Sequence, residues 1–180
     1  KMPETKQLLC LANSQKYNGF CLAGMEVGNG RFGNWVRPVS EEEHGELKES
    51  DLICEDGGIV SVGDIFLITL KGHCRHSYQS ENFLIDDGYY CKKTGQSTWH
   101  DFKEIACLGQ RTLWTNGFSS SNGVNDKVPL KKLSYPEKSL RFLYLDTAIL
   151  SYQKEFKGQR KCRLEFSYQG NSYRLMVTDP

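Results

Sequence analysis

The fold class is decided by residues 161–177, which read KCRLEFSYQGNSYRLMV. Apolar side chains at Cys162, Leu164 and Phe166 alternate with charged or polar ones, and the same alternation returns after the turn-forming Gln169-Gly170-Asn171. A period of two places successive side chains on opposite faces of a strand. The segment therefore predicts a β-hairpin with one apolar and one wet face.

The rest of the chain repeats this pattern of short strands separated by turns. Apolar runs occupy residues 7–12, 20–27, 64–70 and 141–150. Thr98-Trp99-His100-Asp101 has the form of a capping box and predicts a short helix ending at Gly109. The acidic stretch 41–51 predicts a second, polar helix, and the stretch 119–123, SSSNG, predicts a flexible loop. Many short strands with one or two short helices favour small β-barrels over a parallel α/β sheet.

Charge is distributed unevenly along the 180 residues. The chain has 23 Lys+Arg and 22 Asp+Glu, a net charge of +1. Residues 1–90 hold 8 basic and 14 acidic residues, or −6, whereas residues 91–180 hold 15 and 8, or +7. The basic excess lies in residues 127–141 and 154–163, which points to a polyanionic partner. The alternative is that acidic and basic segments are solvated loops, which could face each other within the fold.

The cysteines indicate the compartment and exclude common metal motifs. Seven cysteines are an odd number, and no C-x-x-C occurs, so reduced thiols are expected. No apolar stretch is long enough to span a membrane, and residues 1–7 are polar, so we expect a cytoplasmic protein. His73-Cys74-Arg75-His76, with Cys91 and His100 downstream, matches no standard zinc spacing. No metal site and no cofactor are predicted.

Six segments resemble the bacterial dual OB-containing domain family and stand in that family's order. They are 9–14 (LCLANS), 21–26 (CLAGME), 35–40 (WVRPVS), 79–82 (QSEN), 125–129 (NDKVP) and 173–180 (YRLMVTDP). The resemblance implies a mainly β chain of two small OB-like barrels packed together, with one or two short helices, at residues 1–110 and 111–180. It also implies binding of nucleic acid or a nucleotide and a link to prokaryotic defence. Met176 stands where the family usually has an aromatic residue.

OB barrels bind single strands with a positive groove and exposed rings. The C-terminal half offers four basic side chains for phosphate: Arg160, Lys161, Arg163 and Arg174. It offers three rings that could stack on bases or belong to the core: Tyr152, Tyr168 and Tyr173. The basic side chains are the better candidates, because the tyrosines 168 and 173 occupy apolar positions of the hairpin pattern.

Two further groups complete the predicted binding site. Trp35 and Arg37 stand beside a rigid turn at Pro38 and could sandwich a base or clamp a phosphate. Alternatively, Trp35 plugs the barrel end and Arg37 pairs with Glu81 or another carboxylate. The polar groups suited to reading a base edge are Gln79, Glu81, Asn82, Asn125 and Asp126, beside Lys127. Asn125 and Asp126 could instead cap a turn.

These observations favour a non-enzymatic module that binds single-stranded nucleic acid or a nucleotide, as the sensing component of a defence system. One alternative is a metal-dependent enzyme acting on nucleic acid or nucleotide, using His76, Glu81 and Asp126. No catalytic residue is predicted, because the chain lacks G-x-S-x-G, Walker and H-E-x-x-H motifs. The other alternative is a protein-interaction module in which the acidic segment contacts a basic partner, such as a protein of the same system.

Overall fold

A computed structural model describes residues 2–74, 78–108, 113–115, 117–133, 139–154 and 160–178. The chain forms two compact units. The first comprises mainly Lys1–Ile105 with Pro136–Leu140, and the second comprises Ala106–Tyr135 and Arg141–Thr178. The predicted domain boundary between residues 110 and 111 stays a prediction, because residues 109–112 lie outside the described ranges.

Five of the six strands described in the first unit form a closed ring. The six strands are β1 (Glu4–Lys16), β2 (Gly19–Gly28), β3 (Arg31–Val39), β4 (Asp64–His73), β5 (Asn82–Ile85) and β6 (Lys92–Gln96). The ring runs β1-β2-β3-β5-β4 and closes because β1 pairs with β4 as well as with β2. Among the pairings of these six strands, only β3–β5 is parallel, and β6 extends the sheet beside the first half of β4. This five-stranded closed ring is OB-like, so the predicted mainly β, OB-like fold is confirmed.

The interior of this barrel is filled by side chains. Strand alternation turns Leu8 and Cys10 of β1 inward, together with Phe66, Ile68 and Leu70 of β4. Leu8 and Phe66 are cross-strand partners, and both are fully buried. A small barrel packed in this way has no room for a ligand inside. Any ligand of the first unit must therefore bind outside the ring.

The second unit contains a three-stranded antiparallel sheet in the order β7 (Ala148–Lys154), β8 (Arg160–Tyr168), β9 (Asn171–Val177). The β8–β9 pair confirms the predicted hairpin, and its partners Phe166 and Tyr173 are both buried, with ring centroids 5.2 Å apart. At the free side of β9, Val124 forms an isolated bridge with Arg174. The apolar run 141–150 contributes only its last three residues to a strand.

One of the two predicted helices is present. Helix α1 (Trp99–Leu108) begins as predicted: the Thr98 N–H donates to Asp101 Oδ2 at 2.6 Å, and the Asp101 N–H donates to Thr98 Oγ1 at 3.3 Å. The prediction of a polar helix over residues 41–51 is wrong. Gly45 has φ +69°, a left-handed conformation that interrupts a helix, and only a 3-10 helix forms at Glu49–Leu52.

The cysteine side chains that are described, which exclude Cys107, are all free thiols. Burial, reinforced by the charge of Asp64, raises the pKa of Cys10 to about 12. Burial likewise raises the pKa of Cys91 to about 12, with a smaller effect from Cys54. Both thiols therefore stay uncharged in the core near neutral pH. Within the described ranges, no helix has the length and apolar character needed to cross a membrane.

Candidate nucleic-acid interface

The predicted site residues fall into two groups, one in each unit. The first unit holds Trp35, Arg37, Gln79, Glu81 and Asn82. The second unit holds Asn125, Asp126, Lys127, Lys161, Arg163 and Arg174. Two predicted positions cannot be assigned contacts, because the side chain of Arg160 and all of His76 lie outside the described part of the chain.

In the first unit, the parallel β3–β5 pairing brings Arg37 against the start of β5. The Arg37 N–H donates to the Glu81 carbonyl at 2.8 Å, and Arg37 Nη2 lies 3.5 Å from Glu81 Oε1. Ser139 links the two side chains: it accepts from Arg37 Nη2 at 3.0 Å and bonds Glu81 Oε1 through its hydroxyl. The Arg37 and Glu81 side chains are only 10% and 3% exposed. Arg37 and Glu81 thus pair with each other.

The neighbouring amides also bond within the protein. Asn82 Nδ2 donates to Gln79 Oε1 at 3.1 Å, and the Asn82 carbonyl accepts from the Cys74 N–H at 2.9 Å. Asn82 is buried, whereas Trp35 is half-buried opposite Met25 of β2. These contacts hold the segment before β5 in place. Arg37, Glu81 and Asn82 are therefore buried, whereas Trp35 and Gln79 remain partly exposed.

In the second unit, the loop before residue 127 is held by a buried ion pair. Asp126 Oδ2 lies 3.2 Å from Arg163 Nη1, and Asp126 Oδ1 accepts from the Ser120 N–H at 2.7 Å. The Ser120 hydroxyl bonds Asp126 Oδ2 and also accepts from Arg163 Nη2 at 3.4 Å. The Asp126 and Arg163 side chains are 8% and 2% exposed. The prediction that the polar face of the hairpin is exposed to solvent is therefore wrong at Arg163, because this loop covers the Arg163 side chain.

The sequence of the loop fits this close packing. A side chain at Gly123 would place its Cβ 1.9 Å from Asp126 Oδ2, so only glycine leaves space for the carboxylate. Asn125 adopts φ +50°, accepts from the Gly117 N–H at 3.1 Å and donates to the Ser172 carbonyl at 3.1 Å. Asn125 and Asp126 thus have the turn-capping contacts that the sequence left open. The loop predicted to be flexible is tied to β8 and β9.

We expect the stability of the second unit to fall below about pH 4. Burial by itself would raise the pKa of Asp126, but the Ser120 hydrogen bonds and the Arg163 guanidinium outweigh it and hold that pKa below its usual value. The stabilisation is present above the unfolded pKa and is lost as pH falls through the folded pKa. Urea titrations of wild type and Asp126→Asn should give free energies of unfolding that converge in acid. A difference that does not change with pH would contradict the expectation.

Beside the ion pair lies a cavity of about 460 Å³ that contains four of the predicted site residues. It is lined by Trp114, Ser120, Ser121, Asp126, Lys127, Lys161, Arg163, Leu175 and Met176. The lining includes three cationic side chains and one carboxylate, that of Asp126. This carboxylate forms the ion pair with Arg163. The indole is held in place, because Trp114 Nε1 donates to the Asn125 carbonyl at 2.5 Å and the Trp114 carbonyl accepts from Tyr173 Oη at 3.0 Å.

Two residues that line this cavity, Trp114 and Met176, are not among the predicted site residues. Trp114 is the only tryptophan after residue 100, a composition signal that could have drawn attention to it. Its position beside the basic side chains depends on the contacts of the loop at residues 117–127 with β8 and β9, and no local pattern predicts those contacts.

The remaining candidates lie elsewhere in the second unit. Arg174 Nε lies 3.1 Å from Glu165 Oε1, and both residues line a wider cavity of about 690 Å³ with Tyr144 and Tyr168. Tyr173 is core, as its apolar position predicts, whereas Tyr152 is 73% exposed. Among the described residues, no three His, Cys, Asp or Glu side chains lie close enough together to hold a metal ion.

Comparison with known proteins gives one result. The family model of the dual OB-containing domain matches residues 6–180, nearly the whole chain. No curated protein and no solved structure matches the chain. The family match agrees with the ring order of the first unit, which was established from strand pairing alone. The chain therefore belongs to the dual OB-containing domain family.

Proposed function

We propose that the chain is a non-enzymatic module that binds single-stranded nucleic acid or a nucleotide through the cavity beside Arg163. The observation that carries the proposal is the combination of Lys127, Lys161 and Arg163 with the indole of Trp114 around one cavity. Phosphates need cations, and bases need a ring or other flat apolar surface. Both kinds of group line this cavity.

The charge of the cavity suits a phosphate. Its lining holds three cationic residues, Lys127, Lys161 and Arg163, and one carboxylate, that of Asp126, which lies 3.2 Å from Arg163. Lysine binds phosphate as a point charge, without the fixed geometry that arginine requires. We assign the lysines to phosphate and Arg163 to holding the wall of the cavity.

The size and lining of the cavity suit a nucleotide. Its volume of about 460 Å³ lies within the range of about 300–1,000 Å³ typical of small-ligand sites. Trp114 supplies a surface for stacking, which is worth about 1–3 kcal/mol per base in single-strand binders. Met176, in the place of the family's usual aromatic residue, adds a polarisable side chain without a ring.

The cellular part of the proposal comes from the family resemblance. A nucleic acid or nucleotide that fills this cavity would be the signal that a prokaryotic defence system senses. A protein of the same system would then receive the signal. Co-expression with neighbouring gene products, followed by purification with and without the nucleotide, tests this part separately from binding itself.

We expect the double variant Lys127→Gln/Lys161→Gln to bind labelled oligo(dT), oligo(rU) or a fluorescent mononucleotide about tenfold more weakly, because charged hydrogen bonds to phosphate are lost. Fluorescence anisotropy at about 50 mM and about 200 mM salt measures this. For the oligonucleotides, the slope of log K against log salt should become shallower by about 1.4, since each single-strand phosphate contact contributes about 0.7.

The matched control is Lys131→Gln/Lys132→Gln. These exposed lysines belong to the same unit and are not among the residues lining the cavity, and the change in net charge is the same. Equal losses in both double variants would mean that binding follows overall charge, which contradicts the proposed site. Absence of binding by wild type at low salt would contradict the function itself, and metal-dependent turnover of the probe would contradict the non-enzymatic assignment.

A further inference from the structure

Strand β7 forms an open edge of the second-unit sheet. It pairs with β8 along its whole length, from Ala148 opposite Phe166 to Lys154 opposite Arg160. Within the described residues, its other side pairs with no strand. The opposite edge of the sheet is different, because β9 carries the bridge between Val124 and Arg174. One row of β7 backbone donors and acceptors therefore faces away from its own sheet.

Three common protections of an edge strand are absent from β7 itself. Edges are commonly blocked by proline, by bulges or by charged side chains along the strand. The pairing of β7 with β8 has no register shift, and the sequence AILSYQK contains no proline and one charge, at its last residue. A regular strand of seven residues, whose outer side pairs with no described strand, is able to accept another strand.

The side chains of β7 add exposed apolar surface to this edge. Ile149, Leu150 and Tyr152 are 61%, 53% and 73% exposed. Leu150 and Tyr152 lie on one face of the strand and Ile149 on the other, since side chains alternate. Apolar side chains clustered at one edge mark an interaction surface more often than scattered ones do.

We propose that β7 is a dimerisation edge, at which the β7 strands of two copies of this chain pair antiparallel about Ser151. In that register Leu150 lies opposite Tyr152 of the second copy, and this pair occurs twice. Directly opposed side chains in an antiparallel pair have Cβ atoms about 5 Å apart, close enough for both apolar pairs to be in contact. The result is a continuous sheet of two β7-β8-β9 units related by a twofold axis.

Charge selects this arrangement over a parallel one. Lys154 is the only charged residue of β7, and antiparallel pairing places it opposite Ala148 of the second copy. The two lysine positions are then six residues apart along the strands, about 20 Å, which exceeds the Debye length of about 8–10 Å in physiological salt. Parallel pairing in register would put the two lysines side by side. The contact of one strand with another is small, so the dimer is weak and depends on concentration.

Sedimentation velocity of the full chain over a range of concentrations tests the proposal. Wild type should show a reversible monomer–dimer equilibrium, and Leu150→Lys should weaken dimerisation at least tenfold. The matched control is Leu130→Lys, the same change at an exposed leucine of the same unit outside the sheet. A wild type that is monomeric at all concentrations, or equal effects of the two variants, would overturn the proposal.

A charge exchange tests the register. Tyr152→Glu alone should also weaken dimerisation, but mixing it with Leu150→Lys should produce heterodimers stronger than either homodimer. In the mixed dimer the introduced charges face each other in one pair, and the native Leu150–Tyr152 pair remains in the other. Energy transfer between differently labelled variants reports this. Failure of the mixture to exceed the homodimers would overturn the antiparallel register, and rescue also shows that both variants are folded.

Discussion

Replacing Arg163 by methionine is expected to destabilise the second unit by about 3–5 kcal/mol, because a buried carboxylate is left without its partner. Asp126 is 8% exposed and lies 3.2 Å from Arg163 Nη1, so water does not easily replace the guanidinium. Ser120 loses its contact with Arg163 Nη2 as well. We expect the loop at residues 117–127 to detach from β8 before the hairpin itself opens.

Native-state hydrogen exchange of peptides from residues 117–127 and 160–177 measures this destabilisation within the second unit. Arg174→Met is the matched control, since Arg174 pairs at 3.1 Å with Glu165, which is 40% exposed, and such pairs contribute only about 0–1 kcal/mol. The double variant Arg163→Met/Asp126→Asn should be more stable than Arg163→Met alone, because no unpaired charge remains. A double variant that is less stable would refute the buried-charge explanation.

Gly24→Ala is expected to destabilise the barrel of the first unit by about 3 kcal/mol, the upper end of ordinary overpacking costs. Gly24 lies on β2 between Cys10 of β1 and Val36 of β3. A Cβ there would be 2.3 Å from the Leu9 carbonyl oxygen, and this neighbour is backbone. Relief of this clash therefore requires β1 and β2 to move apart at a point where they are paired within the ring.

Gly28→Ala is the control, because Gly28 belongs to the same strand and a Cβ there meets nothing within 4 Å. Urea unfolding followed by far-UV circular dichroism, with m-values compared, measures both variants. Gly28→Ala should leave stability unchanged or slightly increased, through the smaller entropy of its unfolded state. Equal losses from the two variants would show that alanine is disfavoured generally on β2, and that the contact with Leu9 is not the cause.

Local patterns predicted the local elements of the fold. The alternation in residues 161–177 predicted the hairpin, and the capping residues Thr98 and Asp101 predicted the start of α1. Local patterns could not predict the closure of the ring. Closure pairs Leu9 with Ile65 and Arg37 with Asn82, residues that are far apart in the sequence. Strand periodicity says which face is apolar and leaves the choice of partner open.

The sequence predicted which residue types belong to the candidate site better than it predicted how their side chains are paired and buried. Residue types suggested that Arg37 either binds phosphate or pairs with Glu81. The parallel β3–β5 register brings the two residues together, and the structure shows that their side chains pair. Arg163 was expected on a wet face because charge alternates with apolar residues there. The loop carrying Asp126 buries it, and this burial depends on the space left at Gly123.

The strand order of the first unit also constrains when it can fold during synthesis. β1 finds its second partner only after residue 70 has been made, and β3 finds its second partner only after residue 84. Until then, the β1-β2-β3 meander has two unpaired outer strands, a state that invites pairing with other chains. Nascent chains that stop before β5 should therefore need a chaperone to remain monomeric, whereas chains extended through β6 should not.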